Sequence, residues 1–310
     1  MIDVSPKFVT LRYAKASGVL FAQKETIQRV KNKTVPKGDV LQVARAAGIL
    51  AAKKTADWIV FCHPIPIDWI EIHFELFEDR IQVFSEVKSV WKTGVEMEAI
   101  TAVQGALMNM YDMLKPLDQQ MYMTDIKLEG KRGGKSDFTD EFKGTIKAAV
   151  LVISDSTFAG QREDRSGKII SDFLKQQKID VSVYEILPDD VSKIRERVKN
   201  LVDEEGIDLI FTTGGTGFGP KDFTPEAIKP LLEKEAPGIV EAIRRHGKER
   251  TPFAMLSREI AGLRKQSLII TLPGSSRGAE ESLQAIFPGL LHAFPMIWGG
   301  KHDKQGRAVL

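Results

Sequence analysis

The chain has a single cysteine, Cys62, among its 310 residues. That excludes an intramolecular disulfide framework, a Cys-rich zinc site and an intrachain iron-sulfur cluster ligated only by cysteine, and it fits a reducing compartment. No apolar run approaches the ~20 residues of a membrane span. The opening Met1-Ile2-Asp3-Val4-Ser5 lacks the basic start and apolar stretch of a secretory signal. A cytoplasmic protein with no membrane partner is therefore expected. Charge of one sign is also missing: 44 basic residues against 42 acidic ones leave +2, which gives no argument for a nucleic-acid partner. Any affinity for anions must come from local clusters.

What is present is an ordinary globular balance, 43% hydrophobic and 28% charged. The length exceeds one typical core, so two domains are expected. The join falls where Lys131-Arg132-Gly133-Gly134-Lys135-Ser136-Asp137 gives way to Thr139-Asp140-Glu141-Phe142-Lys143-Gly144, a polar and aperiodic stretch. This places domains at 1–136 and 145–310 with a linker at 137–144.

In the first half, the Ala-rich segment Val40 to Lys54 and the segment Glu96 to Lys115, stopped by Pro116, read as helices. Ile70 to Phe77 and Arg80 to Val87 read as antiparallel strands around the turn Glu78-Asp79. Helices on an antiparallel sheet make an α+β domain of ferredoxin-like type. The second half changes texture. Its nearly continuous apolar runs, Ala148 to Ile153, Leu209 to Thr212 and Leu268 to Leu272, are each followed by a turn and an amphipathic segment. That alternation predicts an α/β domain, with a mostly parallel sheet and helices on both faces.

Several polar constellations punctuate the first half: Lys37-Gly38-Asp39, Cys62-His63-Pro64, Glu96-Met97-Glu98, Asp112 with Lys115, and Lys131 with Lys135. Lysines beside carboxylates can hold a polyanionic substrate while their proton affinities shift toward neutrality, which suits acid-base work. Each feature has a plainer reading. Asp112 and Lys115, three apart on a helix, also describe a solvated ion pair; His63 also describes a turn histidine; the lysines at 131 and 135 also describe a solvated loop.

Read in order, these segments resemble the MoaC family of cyclic pyranopterin monophosphate synthases over about residues 2–138. The resemblance is carried by Lys37-Gly38-Asp39-Val40, Cys62-His63-Pro64, Lys92-Thr93-Gly94-Val95-Glu96-Met97-Glu98-Ala99, Tyr111-Asp112-Met113 and Gly133-Gly134-Lys135-Ser136. It implies conversion of (8S)-3′,8-cyclo-7,8-dihydroguanosine 5′-triphosphate to cyclic pyranopterin monophosphate and pyrophosphate, with no cofactor required. It also implies that Lys37, Asp112, Lys115 and Lys131 are catalytic and that His63, Glu96 and Glu98 bind substrate. Arg12 is an expected phosphate contact, since a guanidinium grips phosphate in bidentate fashion.

In the second half four segments follow strands: Ser154-Asp155-Ser156, Pro188-Asp189-Asp190, Thr212-Thr213-Gly214-Gly215-Thr216-Gly217 and Pro273-Gly274-Ser275-Ser276. The carboxyl ends of parallel strands are where open α/β sheets bind ligands, and glycines let backbone N–H groups approach an anion. Gly214-Gly215-Thr216-Gly217 matches neither a Walker A loop nor Gly-x-Gly-x-x-Gly, and alone it reads equally as a bend. Asp189 and Asp222 offer oxygen ligands of the kind Mg²⁺ takes, although Asp189 beside Asp190 also reads as a helix N-cap.

The ordered set resembles the MoaB/MogA type of molybdopterin-binding domain over about residues 145–300. Further residues carry it: Asp164-Arg165-Ser166-Gly167, Asp222-Phe223-Thr224-Pro225-Glu226-Ala227 and Leu256-Ser257-Arg258. This resemblance implies adenylylation of molybdopterin with Mg²⁺ and ATP. Asp189 and Asp222 would be the catalytic, metal-holding pair. Ser154, Asp155, Gly214, Gly215, Thr216, Gly217, Pro273, Gly274 and Ser275 would bind substrate. An alternative leaves only the first half catalytic, with the second serving as a pterin-binding or assembly module. Pterin and nucleotide substrates are the expected partners, together with further copies of the chain in a homo-oligomer, a hexamer sharing threefold symmetry between the two domains.

Overall fold

A computed structural model describes residues 1–138, 145–302 and 308–309. The chain divides into two compact units, Met1–Phe138 and Thr139–Leu310. Most of the stretch expected as a linker, residues 139–144, lies outside the described residues. Among the described residues no helix is long and apolar enough to cross a membrane.

The first unit runs β1 (Thr10–Phe21), α1 (Lys24–Lys31), α2 (Val40–Lys53), α3 (Thr55–Trp58), β2 (Trp69–Leu76), β3 (Arg80–Trp91), α4 (Glu96–Leu114) and β4 (Tyr122–Arg132). The strands form one antiparallel sheet in the order β2-β3-β1-β4. Leaving aside the short helices, this is the β-α-β-β-α-β arrangement of ferredoxin-like folds. Strand β3 shows why one face of the sheet is covered: Ile81, Val83 and Val87 are fully buried at alternate positions, on the face against which α4 lays Ala99, Val103, Leu107 and Met110. Small residues bring α2 close to α4. A side-chain carbon at Gly48 would lie 2.7 Å from the Ala102 carbonyl oxygen, and one at Gly105 would lie 2.5 Å from Ala51 Cβ.

The second unit contains β5 (Lys147–Ile153), α5 (Asp155–Phe158), α6 (Ser166–Gln176), β6 (Asp180–Leu187), α7 (Val191–Asp203), β7 (Leu209–Thr213) and α8 (Thr224–Ile228). It continues through β8 (Lys234–Glu235), α9 (Pro237–Lys248), β9 (Ala261–Arg264), β10 (Ser267–Leu272), α10 (Ser276–Ile286) and α11 (Ala293–Ile297). The sheet order is β6-β5-β7-β10-β9-β8. The first four strands are parallel, and β9 and β8 add an antiparallel edge. Both faces are buried. Ala148, Val150, Phe211 and Ile270 pack on one side with α6, α9 and α10, while Ala149, Leu151, Ile210 and Ile269 pack on the other with α7 and α8. Two buried faces remove the polar half of the alternation, which is why the strands read as continuous apolar runs.

Two clusters and a strand-end cavity as candidate sites

Helix α4 has a polar cluster at each end. At its C-terminal end Asp112 holds two lysines: Lys115 Nζ lies 2.8 Å from Oδ1, and Lys37 Nζ lies 2.9 Å from Oδ2 and 2.8 Å from the Asp112 carbonyl oxygen. Asp39, beside Lys37, starts α2 by accepting from the Gln42 N–H. The two ammonium groups, Lys115 first, hold the Asp112 carboxyl down at about 2, and Asp112 in turn raises Lys115. In this pairing Lys115 moves away from neutrality, opposite to the direction expected from sequence. A carboxylate held this low is a weak base, so Asp112 acts as the post that fixes both lysines.

At the N-terminal end Glu96 and Glu98 stand in the first turn, where the helix dipole favours negative charge. Lys131 Nζ is 2.9 Å from Glu96 Oε1, and the pairing raises the lysine. Burial acts to raise Glu96, but Lys131 and Arg12 outweigh it and the net direction is down. Among the described residues Glu98 has no such partner. It is buried, its Oε2 finds no hydrogen-bond partner among them, and desolvation assisted by Glu96 lifts it to about 7.

Glu96, Glu98 and His63 share the wall of a cavity of about 700 Å³ with Cys62, Thr93 and Lys7. Arg12, expected as a phosphate contact, has another occupation in this structure. Its Nε donates to the Trp91 carbonyl at 3.2 Å, and one terminal nitrogen donates to those of Lys92 and Phe8 at 3.1 and 3.4 Å, pinning the turn that leads into α4. The structure thus brings Lys37, Asp112 and Lys115 together, and separately Lys131, Glu96, Glu98 and His63. The helix from Glu96 to Asp112, roughly 24 Å of axis, lies between the groups within one chain.

In the second unit the turns after β5, β6, β7 and β10 converge on a cavity of about 350 Å³. Its wall includes Ser154, Asp189, Gly214, Gly215, Asp222, Gly274 and Ser275. The chain crosses from one side of β5 to the other at this point, the place where open sheets bind ligands. Two glycines are required by geometry. Gly214 has φ +102°, and a side-chain carbon there would lie 2.2 Å from the Ile153 carbonyl oxygen. Gly215 has φ +64°, and its side-chain carbon would lie 2.2 Å from Thr224 Oγ1 and 3.5 Å from Asp189 Oδ1. Their absent side chains let the carboxylate lie over the loop.

The ambiguity at Asp189-Asp190 resolves cleanly. Asp190 caps α7, accepting from the Ser192 and Lys193 N–H groups at 2.8 and 2.9 Å. Asp189 is free of that duty and exchanges hydrogen bonds with Asp155: Oδ2 accepts from the Asp155 N–H at 2.8 Å, and the Asp189 N–H donates to Asp155 Oδ1 at 3.1 Å. Burial, then the charges of Asp155 and Asp222, push Asp189 above its ordinary range against that hydrogen bond. Asp155 is paired outward with Lys221 at 2.6 Å.

Of the other expected residues, Asp155, Thr216, Gly217 and Pro273 do not line the cavity. Thr216 is buried and shares a hydrogen bond with Ser257, and the Pro273 carbonyl accepts from Thr213 Oγ1. Ser275 caps α10 through the Gly278 N–H. Sequence reasoning missed Arg162 and Arg165, which also line the cavity. The signal available was the start of an amphipathic helix at Ser166 just after the charged run Arg162-Glu163-Asp164-Arg165.

Among the described residues no three His, Cys, Asp or Glu side chains are grouped to hold a metal ion. Asp189 and Asp222 on one wall, the first raised by burial and then by its neighbours' charge, fit Mg²⁺ shared with phosphates and water better than an all-protein cage.

Residues 1–134 match the model of the MoaC family, and residues 149–292 match that of a probable molybdopterin binding domain. The chain is 40% identical over 302 residues to a molybdenum cofactor biosynthesis bifunctional protein of Chlorobaculum tepidum, covering 97% of this chain and 96% of that protein. It is 48% identical over 138 residues to a cyclic pyranopterin monophosphate synthase of Heliobacterium modesticaldum, covering 44% of this chain and 87% of the relative. A solved structure of the molybdopterin biosynthesis enzyme MoaB from Thermus thermophilus covers 50% of this chain and 98% of its own, at 42% identity and a TM-score of 0.48.

Proposed function

The chain belongs to the family of bifunctional molybdenum-cofactor biosynthesis proteins, and from that premise we propose the reactions of its two units. The first converts (8S)-3′,8-cyclo-7,8-dihydroguanosine 5′-triphosphate to cyclic pyranopterin monophosphate and pyrophosphate without a cofactor. The second adenylylates molybdopterin with Mg-ATP. Sulfur must enter the pterin between these steps, so the fusion does not serve direct handover.

For the first unit, Lys37, Lys115 and Lys131 are the proton carriers, Asp112 and Glu96 hold them in place, and His63 and Glu98 contact substrate in the cavity. A proton moves only across hydrogen-bond distance, about 2.6–3.2 Å. Groups some 24 Å apart on one helix therefore cannot serve one ring system. The reading follows that a second copy of the chain completes each site, its Lys37 end meeting the first copy's Lys131 end. This gives the expected homo-oligomer a chemical reason.

For the second unit, the observation that carries the reading is that Asp189 and Asp222, from separate strand ends, face one cavity floored by the glycine turns. An oxygen of the pterin's phosphate attacks the α-phosphorus of ATP, the bond to the β-phosphate breaks, and pyrophosphate leaves. Mg²⁺ bound with ATP screens phosphate charge. The protein's part is to hold Asp189 and Asp222 at fixed positions, offer N–H groups of the turns, and place Arg162 and Arg165 beside the phosphates. Purified protein supplied with molybdopterin, ATP and Mg²⁺ should release pyrophosphate and form adenylylated pterin. Binding of the pterin without pyrophosphate release would favour the alternative, in which this unit only binds.

A further inference from the structure

Arg258 sits far in sequence from the glycine turn of the second unit, yet its contacts converge on it. The Arg258 N–H donates to the Thr216 carbonyl at 2.9 Å, and its Nε donates to the Gly217 carbonyl at 2.8 Å. One terminal nitrogen donates to the carbonyl of Asp222 at 2.5 Å, and the other pairs with the Glu226 carboxylate at the start of α8. The ring of Phe218 lies against the guanidinium, 5.9 Å from ring centre to the central carbon. One planar fork thus ties together the beginning of the loop, its end, and the helix after it.

The carboxylate of Asp222 is held from inside the same loop. Its Oδ2 accepts from the Gly219 N–H at 2.7 Å, and a side-chain carbon at Gly217 or Gly219 would lie 2.8 or 2.7 Å from that oxygen. The aspartate therefore occupies a pocket of its own loop, which Arg258 holds from outside while Thr224 bonds back to the Gly214 and Gly215 carbonyls.

We propose that Arg258 is a positioning residue for the second site: it closes the segment from Thr216 to Glu226 so that Asp222 faces the cavity at a fixed place opposite Asp189. The inference rests on the reading of Asp222 as part of that site. Lysine carries the charge but not the fork. It can satisfy one of the acceptors at Gly217, Asp222 and Glu226 in good geometry, not all three.

The test compares unmodified protein with Arg258→Lys and Arg258→Ala, measuring pyrophosphate release from ATP with molybdopterin and Mg²⁺. Pyranopterin formation by the first unit of the same chain checks that each variant is made and soluble. Both variants should lose kcat by about ten-fold or more, need more Mg²⁺ for half-maximal rate, and keep the KM for molybdopterin within about two-fold. Added guanidinium at millimolar concentration should restore part of the Arg258→Ala rate. A purely structural role would not give that split or that rescue.

Tryptic cleavage after the exposed Lys221 gives a readout independent of catalysis, and it should be faster in both variants. Unchanged kcat and Mg²⁺ requirement in active protein overturn the proposal. If the unmodified chain releases no pyrophosphate, the adenylylation reading falls; the proposal then stands if cleavage after Lys221 accelerates and falls if it does not.

Discussion

Asp112 and Glu96 stand on the same helix, roughly 24 Å apart along its axis, and each holds a lysine delivered by a different part of the chain: Lys37 from the turn before α2, Lys131 from the end of β4. The Asp112 cluster has Lys37 and Lys115 but not Lys131, and the Glu96 cluster has Lys131 but neither of the others, so neither alone holds all the lysines that the proposed ring-forming chemistry uses. One α4 presents both halves of a site, but to different places.

The first prediction follows from that geometry. Lys37→Ala and Lys131→Ala should each lower pyranopterin formation by about 100-fold or more, the usual size of a general acid-base contribution. When the two variants are unfolded together and refolded at equal concentration, about a quarter of the unmodified activity should return, because half of the paired copies are mixed and each mixed pair has one intact site of two. Mixtures as inactive as their parents, with exchange of copies verified by differently tagged chains, would rule out the shared site.

Removing the post between the two lysines should change the pH profile. Asp112 raises Lys115, so Asp112→Asn should move the alkaline limb of kcat/KM to lower pH as Lys115 loses its proton more readily. The acid limb should not move. The carboxyl at about 2 is already ionised throughout the working range, and its pairs would be lost only as pH falls through that value. An unchanged alkaline limb, with activity still measurable, would mean that Lys115 takes no part.

Glu98 carries a prediction of opposite sign. Its pKa of about 7 in the fold lies above the 4.5 of an ordinary glutamate, so the folded state binds the extra proton. That stabilisation is complete below about 4.5 and is lost as pH rises through about 7, by up to about 3 kcal/mol. Glu98→Gln keeps a neutral side chain at every pH. Its melting temperature should match that of the unmodified protein near pH 4 and exceed it near pH 8, while pyranopterin formation declines. Parallel melting curves across that range would show that Glu98 is not neutral in the folded state.

How far these features can be read without coordinates depends on what each residue's neighbours are. Helix α2 follows from its Ala-rich run and α4 from a helical run that Pro116 stops, and β5, β7 and β10 follow from apolar runs that two buried faces require. Strand β4 escapes such reading because every one of its residues is exposed or half-buried, which leaves no apolar alternation. The edge strands β8 and β9 are too short to show a period. In the site, motif order placed Lys131 with Lys37, and only the length of α4 separates them. Arg258 was visible as part of Leu256-Ser257-Arg258, but nothing local says that its side chain reaches Gly217 and Asp222.

The turn after β7 has a backbone that only glycine accepts without strain. Gly214→Ala combines a positive φ with a side-chain carbon 2.2 Å from the Ile153 carbonyl, a backbone atom at the end of β5, which is paired on both sides and cannot step aside. The expected cost is about 2 kcal/mol or more in the stability of the second unit. Differential scanning calorimetry should show a lower transition for that unit, with pyranopterin formation unaffected at temperatures below it. A variant that melts with the unmodified protein would show that the turn relaxes freely.

The last prediction concerns the pair across the second cavity. Asp189 and Asp222 come from the ends of β6 and from the loop after β7, strands with β5 between them, and both face the same space. Replacing either with Asn keeps size and most hydrogen bonding but removes a charge. At Asp189 the change also relieves repulsion, because burial and the charges of Asp155 and Asp222 already push that carboxyl up. Asp189→Asn should therefore leave the unit as stable as before or more so, while Mg²⁺-dependent pyrophosphate release falls by about 100-fold or more. Molybdopterin affinity, measured by fluorescence titration, should change by less than about three-fold, since the proposed pterin contacts are turn N–H groups and neutral side chains. The opposite pattern, rate intact and pterin affinity lost, would assign these aspartates to binding. It would make the second unit a pterin-holding module beside an enzyme.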